Sequence, residues 1–91
     1  MSEIMRQVLI TNRRGLHARA SAKFVTLASA QTCEVAVAKD GAGQVTGTSI
    51  MGLMMLGAAM GDEITISADG DGAEAAVDTL CDLVEAKFGE D

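Results

Sequence analysis

The order of apolar and polar positions along the chain predicts strands and helices joined by short turns. Residues 4–11 (IMRQVLIT) are β-branched and apolar and predict a first strand. Asn12 to Gly15 break this pattern and predict a loop. From His17 to about Ser29, small and apolar residues recur near helical spacing and predict a helix. The side chains that this helix is expected to lay on a sheet are those of Ala18, Ala22, Val25, Leu27 and Ala28.

The middle of the chain predicts a hairpin followed by a short helix. Residues 33–39 (CEVAVAK) alternate and predict a second strand, and a turn over residues 40–43 leads into a third strand at 44–47. Thr48 and Ser49 then precede the apolar run IMGLMML. Because Ser or Thr before such a run is typical of a helix N-cap, a short helix is expected there, ended by Gly57.

The remaining residues predict one more strand and an amphipathic helix. Residues 62–68 (DEITISA) alternate as a last strand, and residues 69–72 turn into a helix over 74–87. The inward residues of that helix are predicted to be Ala76, Val77, Leu80, Val84 and Phe88. The order β-α-β-β-α-β-α indicates an α+β open-faced sandwich over residues 1–91, a single domain with three helices on one face of a four-stranded antiparallel sheet.

Composition excludes several classes of function. Aromatic residues are 2% of the 91 residues and the net charge is −6, which argues against nucleic-acid binding. The apolar stretch 50–60 is shorter than the roughly 20 residues of a membrane span, and residues 1–7 do not resemble a secretory signal. We therefore expect a soluble, cytoplasmic protein. Cys33 and Cys81, without ligand or redox spacing, are expected to be small buried hydrophobes, and no metal site is expected.

The charges are distributed unevenly. Ten of the thirteen acidic residues lie at or after Asp62. Four of the seven basic residues lie close together near the first helix: Arg13, Arg14, Arg19 and Lys23. Such a basic cluster suits an anionic group or the acidic face of a protein partner. The alternative is ordinary solvated surface charge.

The only histidine, His17, lies where a loop becomes a helix. The first backbone N–H groups of a helix lack partners within it and attract anions. A phosphoryl group on His17 could therefore be held by the helix start at Ala18 and Arg19, with charge-assisted hydrogen bonds from the Arg19 side chain. Gly15 would let the loop turn tightly. The alternative is that His17 only caps the helix.

These residues resemble a known family. Gly15-Leu16-His17-Ala18-Arg19, followed by Ala22 and Phe24-Val25, resembles the active-site motif of the HPr phosphocarriers of bacterial phosphotransferase systems. Residues 49–53, 56–57 and 64–68 resemble the family's second helix and last strand. The resemblance implies that His17 is phosphorylated on Nδ1 and that Arg19 assists the transfer. It also implies a stoichiometric carrier without cofactor, which accepts the group from Enzyme I and donates it to an EIIA-type domain.

One position departs from the family pattern. The family usually has proline directly after the motif arginine, and this chain has Ala20. Proline is suited to the first turn of a helix because its missing N–H would be unpaired there. Alanine keeps the helix propensity, so anion binding need not be lost. The substitution favours a regulatory or nitrogen-type branch over sugar transport.

The short helix after Ser49 suggests a second functional surface. Because it is apolar all round, part of it must face solvent or a partner. We expect Leu53 and Leu56 to face the core. The predicted docking residues beside His17 are Ala20, Lys23, Ile50, Met51 and Met54. The alternative is that the methionines fill the core. Resemblance to Gram-positive members adds Ser49 as a regulatory phosphorylation site of an HPr kinase/phosphorylase.

Three readings compete with a phosphocarrier. The first is a purely regulatory protein whose His17 and Ser49 states set its contacts. The second is a small phosphatase-like hydrolase, which is disfavoured because no second histidine or carboxylate is evident near residues 13–19 to act as a base. The third is a structural domain without a site. Because a relay presents one face to successive partners, a monomer is expected.

Overall fold

The computed structural model describes residues 3–90, which form four strands and three helices. The strands are β1 (Glu3–Leu9), β2 (Val35–Lys39), β3 (Gly43–Thr46) and β4 (Glu63–Asp69). The helices are α1 (Ala18–Ser29), α2 (Ile50–Met55) and α3 (Ala73–Glu85), and a 3-10 turn (Lys87–Gly89) follows α3. The predicted element order is confirmed.

The strands form one antiparallel sheet in the order β1-β4-β2-β3. Residues opposite each other in paired strands point to the same face. Val8 lies opposite Ile64, and Ile66 lies opposite Val37, and all four are buried. This face carries the core, whereas positions between them, such as Gln7 and Thr65, face the other side. The predicted α+β open-faced sandwich is confirmed.

Helix α3 packs on the buried face of the sheet against β1 and β4. As predicted, its inward side chains are fully buried: Ala76, Val77, Leu80, Val84 and, beyond its last turn, Phe88. Arg6 of β1, which lies opposite Ile66, forms an ion pair with Asp78 of α3. An apolar stripe at helical spacing was therefore sufficient to predict how α3 lies on the sheet.

The predicted inward face of α1 is confirmed for Ala28 and in part for Val25 and Leu27, which pack against the core, but its centre is wrong. Ala18 is exposed, and the buried positions are Ala20, Ser21, Phe24 and Ala28. A face centred on Ala18, Ala22 and Val25 would turn the larger Phe24 towards water. Burying that aromatic ring contributes more than burying small side chains, so the helix is rotated to place Phe24 in the core.

Several element ends differ from the prediction by one or two residues. Strand β1 ends at Leu9 rather than at residue 11, and β2 begins at Val35 rather than at Cys33. Helix α3 ends at Glu85 because Lys87 and Phe88 have left-handed φ angles of 58° and 56°. The chain therefore reverses direction after α3 instead of extending the helix to residue 87.

The two cysteines differ in burial. Cys81 is buried, and this burial raises the pKa of its thiol. Cys33 is only half-buried, in the connection before β2, where it packs against the core. The expectation of buried hydrophobes thus holds fully for Cys81 and partly for Cys33. Across residues 3–90, none of the helices has the length and apolar character needed to cross a membrane.

Candidate functional site

His17 is the N-cap residue of α1. Its backbone is extended, with φ −75° and ψ −177°, and its Nδ1 accepts a hydrogen bond from the backbone N–H of Arg19 at 3.3 Å. A backbone N–H can only donate, so Nδ1 carries a lone pair in this arrangement. The side chain is 20% exposed. Nδ1 is therefore directed at the start of α1.

The loop before His17 is held tightly from two sides. The N–H of Leu16 donates to the carbonyl of Ala58 at 3.0 Å, and the buried hydroxyl of Ser21 donates to the carbonyl of Leu16 at 3.2 Å. Gly15 has φ +64°, and a Cβ there would collide with the carbonyl oxygen of Ala58. Glycine is thus required both by the backbone angle and by the close approach of residue 58.

The structure places a carboxylate against the histidine, which corrects the sequence analysis. Oε2 of Glu90 lies 2.6 Å from Nε2 of His17, and Oε1 accepts from Nδ2 of the buried Asn12 at 3.2 Å. Partial burial raises the pKa of Glu90, but the hydrogen bonds from His17 and Asn12 outweigh it, so this pKa lies below its usual value of 4.5. Glu90 is therefore ionised near neutral pH, and its Oε2 can accept a hydrogen bond from Nε2 of His17.

Glu90 reaches the site because residues 86–90, here called the C-terminal turn, fold back over α1. The Phe88 side chain is fully buried, and its carbonyl accepts from Nζ of Lys23 at 2.7 Å. Gly89 after the helical pattern was an available sign that the helix ends early. Nothing local could indicate the contact itself, because Glu90 and His17 are 73 residues apart.

Positive charge surrounds this pair. An open depression of about 270 Å³ is lined by the exposed side chains of Arg13, Arg14 and Arg19 together with Glu90. The predicted basic cluster is confirmed for these arginines. Lys23 lies further along α1, and its ammonium group is engaged by the Phe88 carbonyl. The arrangement can bind an anionic group beside His17.

The predicted docking residues divide between surface and core. Ile50, Met51 and Met54 are exposed by 41%, 72% and 42%, and Leu53 and Leu56 are buried as expected. Ala20 is fully buried and cannot contact a partner, because it lies on the face of α1 that carries Phe24. Met55 and Met60, which were not among the predicted docking residues, are also exposed, by 78% and 58%.

Ser49 is the N-cap of α2. Its Oγ accepts a hydrogen bond from the backbone N–H of Gly52 at 2.9 Å, and the residue is half-buried. The predicted cap is confirmed. Helix α2 packs against α1, and Ala58, shortly after its end, contacts the loop that carries His17.

Comparison with known proteins identifies the family. The family profile described as "PTS HPr component phosphorylation site" matches residues 4–86. The chain is 43% identical to the phosphocarrier protein NPr of Shewanella violacea, over 99% of this chain and 98% of that protein. It is 42% identical to the phosphocarrier protein HPr of Cupriavidus necator, over 96% of this chain and 97% of that protein. The NPr name agrees with the branch that Ala20 favours.

The fold comparison agrees. The crystal structure of an HPr from Thermoanaerobacter tengcongensis superposes with a TM-score of 0.88 and 44% identity, covering 100% of this chain and 99% of that one. Another crystal structure of HPr from that organism, described as a dimer, superposes with a TM-score of 0.74 and 46% identity, over 91% and 94% of the two chains. The chain belongs to the HPr family of phosphocarrier proteins.

Proposed function

We propose that this protein carries its phosphoryl group on Nδ1 of His17. The observation that supports this assignment most directly is the hydrogen bond from the N–H of Arg19 to Nδ1. It supports Nδ1 as the ring nitrogen with a free electron pair. It also aims that nitrogen at the N–H groups of the first helical turn, where an attached phosphoryl group would find hydrogen-bond donors at Ala18 and Arg19.

The transfer is a displacement at phosphorus between two nitrogens. The lone pair of Nδ1 attacks the phosphorus of a donor phosphohistidine, the donor N–P bond breaks, and its electron pair returns to the donor ring. Little covalent chemistry is left for the protein, so positioning and charge stabilisation dominate. The guanidinium of Arg19 lines the depression beside His17 and is suited to stabilise the transferring group.

We place this carrier between Enzyme I and an EIIA-type domain, as a cytoplasmic, single-domain monomer. The support comes from family membership and from the exposed apolar surface of Ile50, Met51 and Met54. Unbranched methionine side chains adapt to different partners, which suits a protein that binds a donor and an acceptor in turn. Between these proteins the chain acts as a stoichiometric relay and not as an enzyme with its own turnover.

The test is intact mass spectrometry after incubation with phosphoenolpyruvate, Mg²⁺ and Enzyme I. One acid-labile phosphoryl group per chain is expected in the parent and in the control S49A, and none in H17A. Labelling that survives in H17A, or that resists mild acid, would contradict the assignment to His17. Onward transfer is tested by adding EIIA-type domains and following the loss of the phosphoryl mass.

A second, regulatory modification is proposed at Ser49 by an ATP-dependent HPr kinase/phosphorylase. It is supported by the position of Ser49 as the half-buried cap beside the exposed Ile50 and Met51. A phosphate adds about −1.5 to −2 charges at neutral pH and would weaken docking of an acidic partner. Incubation with kinase and ATP should give an acid-stable phosphoryl group in the parent and in T48A but not in S49A. Labelling of S49A would contradict this site.

A further inference from the structure

We propose that Glu90 is a positioning residue for His17: its carboxylate holds the proton on Nε2, which keeps Nδ1 as the nucleophile and promotes release of the phosphoryl group. The proposal rests on the phosphorylation of His17 proposed above. It adds a role for a residue that is distant in sequence and lies on the opposite side of the ring from the start of α1.

The two ring nitrogens have partners of opposite kinds. Nδ1 faces a donor, the N–H of Arg19. Nε2 lies 2.6 Å from an oxygen of the Glu90 carboxylate, and an ionised carboxylate accepts hydrogen bonds but does not donate them. Both contacts favour the same neutral tautomer, with the proton on Nε2 and the lone pair on Nδ1. Without Glu90, the 3.3 Å contact to Arg19 would be the one hydrogen bond from residues 3–90 that selects this tautomer.

The position of the carboxylate is set independently of His17. Asn12, which is buried, donates from Nδ2 both to Oε1 of Glu90 and to the carbonyl of Gly15. Phe88, two residues earlier, is anchored in the core and by Lys23. Because these contacts hold the C-terminal turn, the carboxylate is preorganised and need not be ordered by the ring.

Glu90 would act mainly after the phosphoryl group has been accepted. When Nδ1 attacks phosphorus, the ring carries the phosphoryl group on Nδ1 and the proton on Nε2, with a formal positive charge shared between them. The carboxylate stabilises that charge. On transfer to the acceptor, the N–P electron pair returns to Nδ1 and a neutral imidazole leaves. If Nε2 lost its proton first, the leaving group would be an imidazolate, which is far poorer.

The surroundings of Glu90 keep it ionised while the phosphoryl group is present. Among residues 3–90, the groups whose charge lowers the pKa of Glu90 are His17 and Lys23, and the charged side chains that line the same depression are those of Arg13, Arg14 and Arg19. They reduce the repulsion between the Glu90 carboxylate and a phosphoryl dianion on the other side of the ring. We therefore expect Glu90 to retain its hold on Nε2 in the phosphorylated protein.

The test compares E90Q with the parent and with E85Q, which makes the same change at an exposed residue of α3. E90Q removes the charge but keeps the shape and a hydrogen-bonding oxygen. The first measurement is the tautomer ratio of unphosphorylated His17 from its ring ¹⁵N chemical shifts. The parent and E85Q should show the Nε2–H tautomer as the main neutral form, and E90Q should show a mixture.

The second measurement is the rate at which the isolated phosphoprotein loses its phosphoryl group between about pH 5 and 8. In E90Q the rate should fall at lower pH than in the parent, giving about tenfold slower loss near the upper end of the range. E85Q should follow the parent. A role of Glu90 confined to stabilising the fold would not shift this pH profile.

An unchanged tautomer ratio or an unchanged pH profile in E90Q would overturn the role of Glu90. If the parent takes up no phosphoryl group from Enzyme I, the carrier function itself fails. Normal uptake combined with an unchanged E90Q would overturn only the role assigned to Glu90, so the two failures can be told apart.

Discussion

Helices α1 and α2 each begin with a side-chain cap, and the two caps differ in the further contacts of the capping side chain. Oγ of Ser49 accepts from the N–H of Gly52 at 2.9 Å at the start of α2, and Nδ1 of His17 accepts from the N–H of Arg19 at 3.3 Å at the start of α1. Behind the imidazole, Glu90 holds the second ring nitrogen. The imidazole of His17 therefore has two polar atoms with separate partners, whereas the hydroxyl of Ser49 has one.

The two caps also differ in how far their support extends through the fold. Ser49 and its partner Gly52 are three residues apart, so that contact is local. The His17 site requires contacts from residue 58 and from residue 90. Substitutions that disrupt distant packing should therefore disturb the contacts of Ala58 and Glu90 around His17 while sparing the Ser49 cap.

The largest expected effect is that of F88A, which removes the anchor of the C-terminal turn. Deleting a fully buried phenylalanine ring typically costs about 3–5 kcal/mol of unfolding free energy. The loss should also release Glu90 from His17, so the contact at Nε2 of His17 is lost and the Ser49 cap is kept. Urea unfolding measures the first effect, and the ring ¹⁵N shifts of His17 measure the second. Retention of the Nε2–H tautomer in folded F88A would argue against this coupling.

Next in size is G15A, for which the chain offers a matched control. Gly15 and Gly57 have nearly equal φ angles of +64° and +65°, but a Cβ on Gly57 meets no atom within 4 Å. G57A should cost about 1 kcal/mol through backbone strain alone. G15A should cost about 3 kcal/mol, because the collision with Ala58 is added to that strain. Equal unfolding free energies for the two variants would show that the close approach to Ala58 is relieved without cost.

The Ser49 cap should contribute less to the unfolding free energy than Phe88 or Gly15. S49A removes the acceptor for the N–H of Gly52 and should lower the unfolding free energy by about 1 kcal/mol. T48A, one residue earlier and outside the cap, should change it by less than about 0.5 kcal/mol. Both variants should still accept a phosphoryl group on His17. A loss of phosphoryl uptake in S49A would mean that the two caps are coupled.

The smallest expected effect is on the pH dependence of stability. Because the folded pKa of Glu90 lies below its usual value of 4.5, its ionisation stabilises the fold above that value, and this stabilisation is lost as the pH falls through the folded pKa. E90Q should therefore lose less stability than the parent on acidification from about pH 5. Denaturant unfolding at several acidic pH values, with E85Q as control, measures the difference. Parallel curves for the parent and E90Q would contradict the depressed pKa.

Much of the fold could be predicted because its signals are local. The alternation in β4, the serine before α2 and the apolar stripe of α3 each reflect interactions between residues a few positions apart. The prediction for α1 was partly wrong because two overlapping apolar stripes exist on that helix. Packing against the core, which includes contacts with α2 and α3, selects the stripe that contains Phe24.

The features of the candidate site also divide into those set by neighbouring residues and those set by tertiary packing. The sequence by itself determined that His17 stands at a helix start, after a glycine and among arginines, because caps, turns and charge clusters are properties of neighbouring residues. Only the tertiary structure decided that Ala20 is buried and that a carboxylate holds the second ring nitrogen. Those outcomes depend on how α1 is rotated against the core and on the left-handed turn at Lys87 and Phe88. That turn brings Glu90 into contact with His17, although the two residues are 73 positions apart in the sequence.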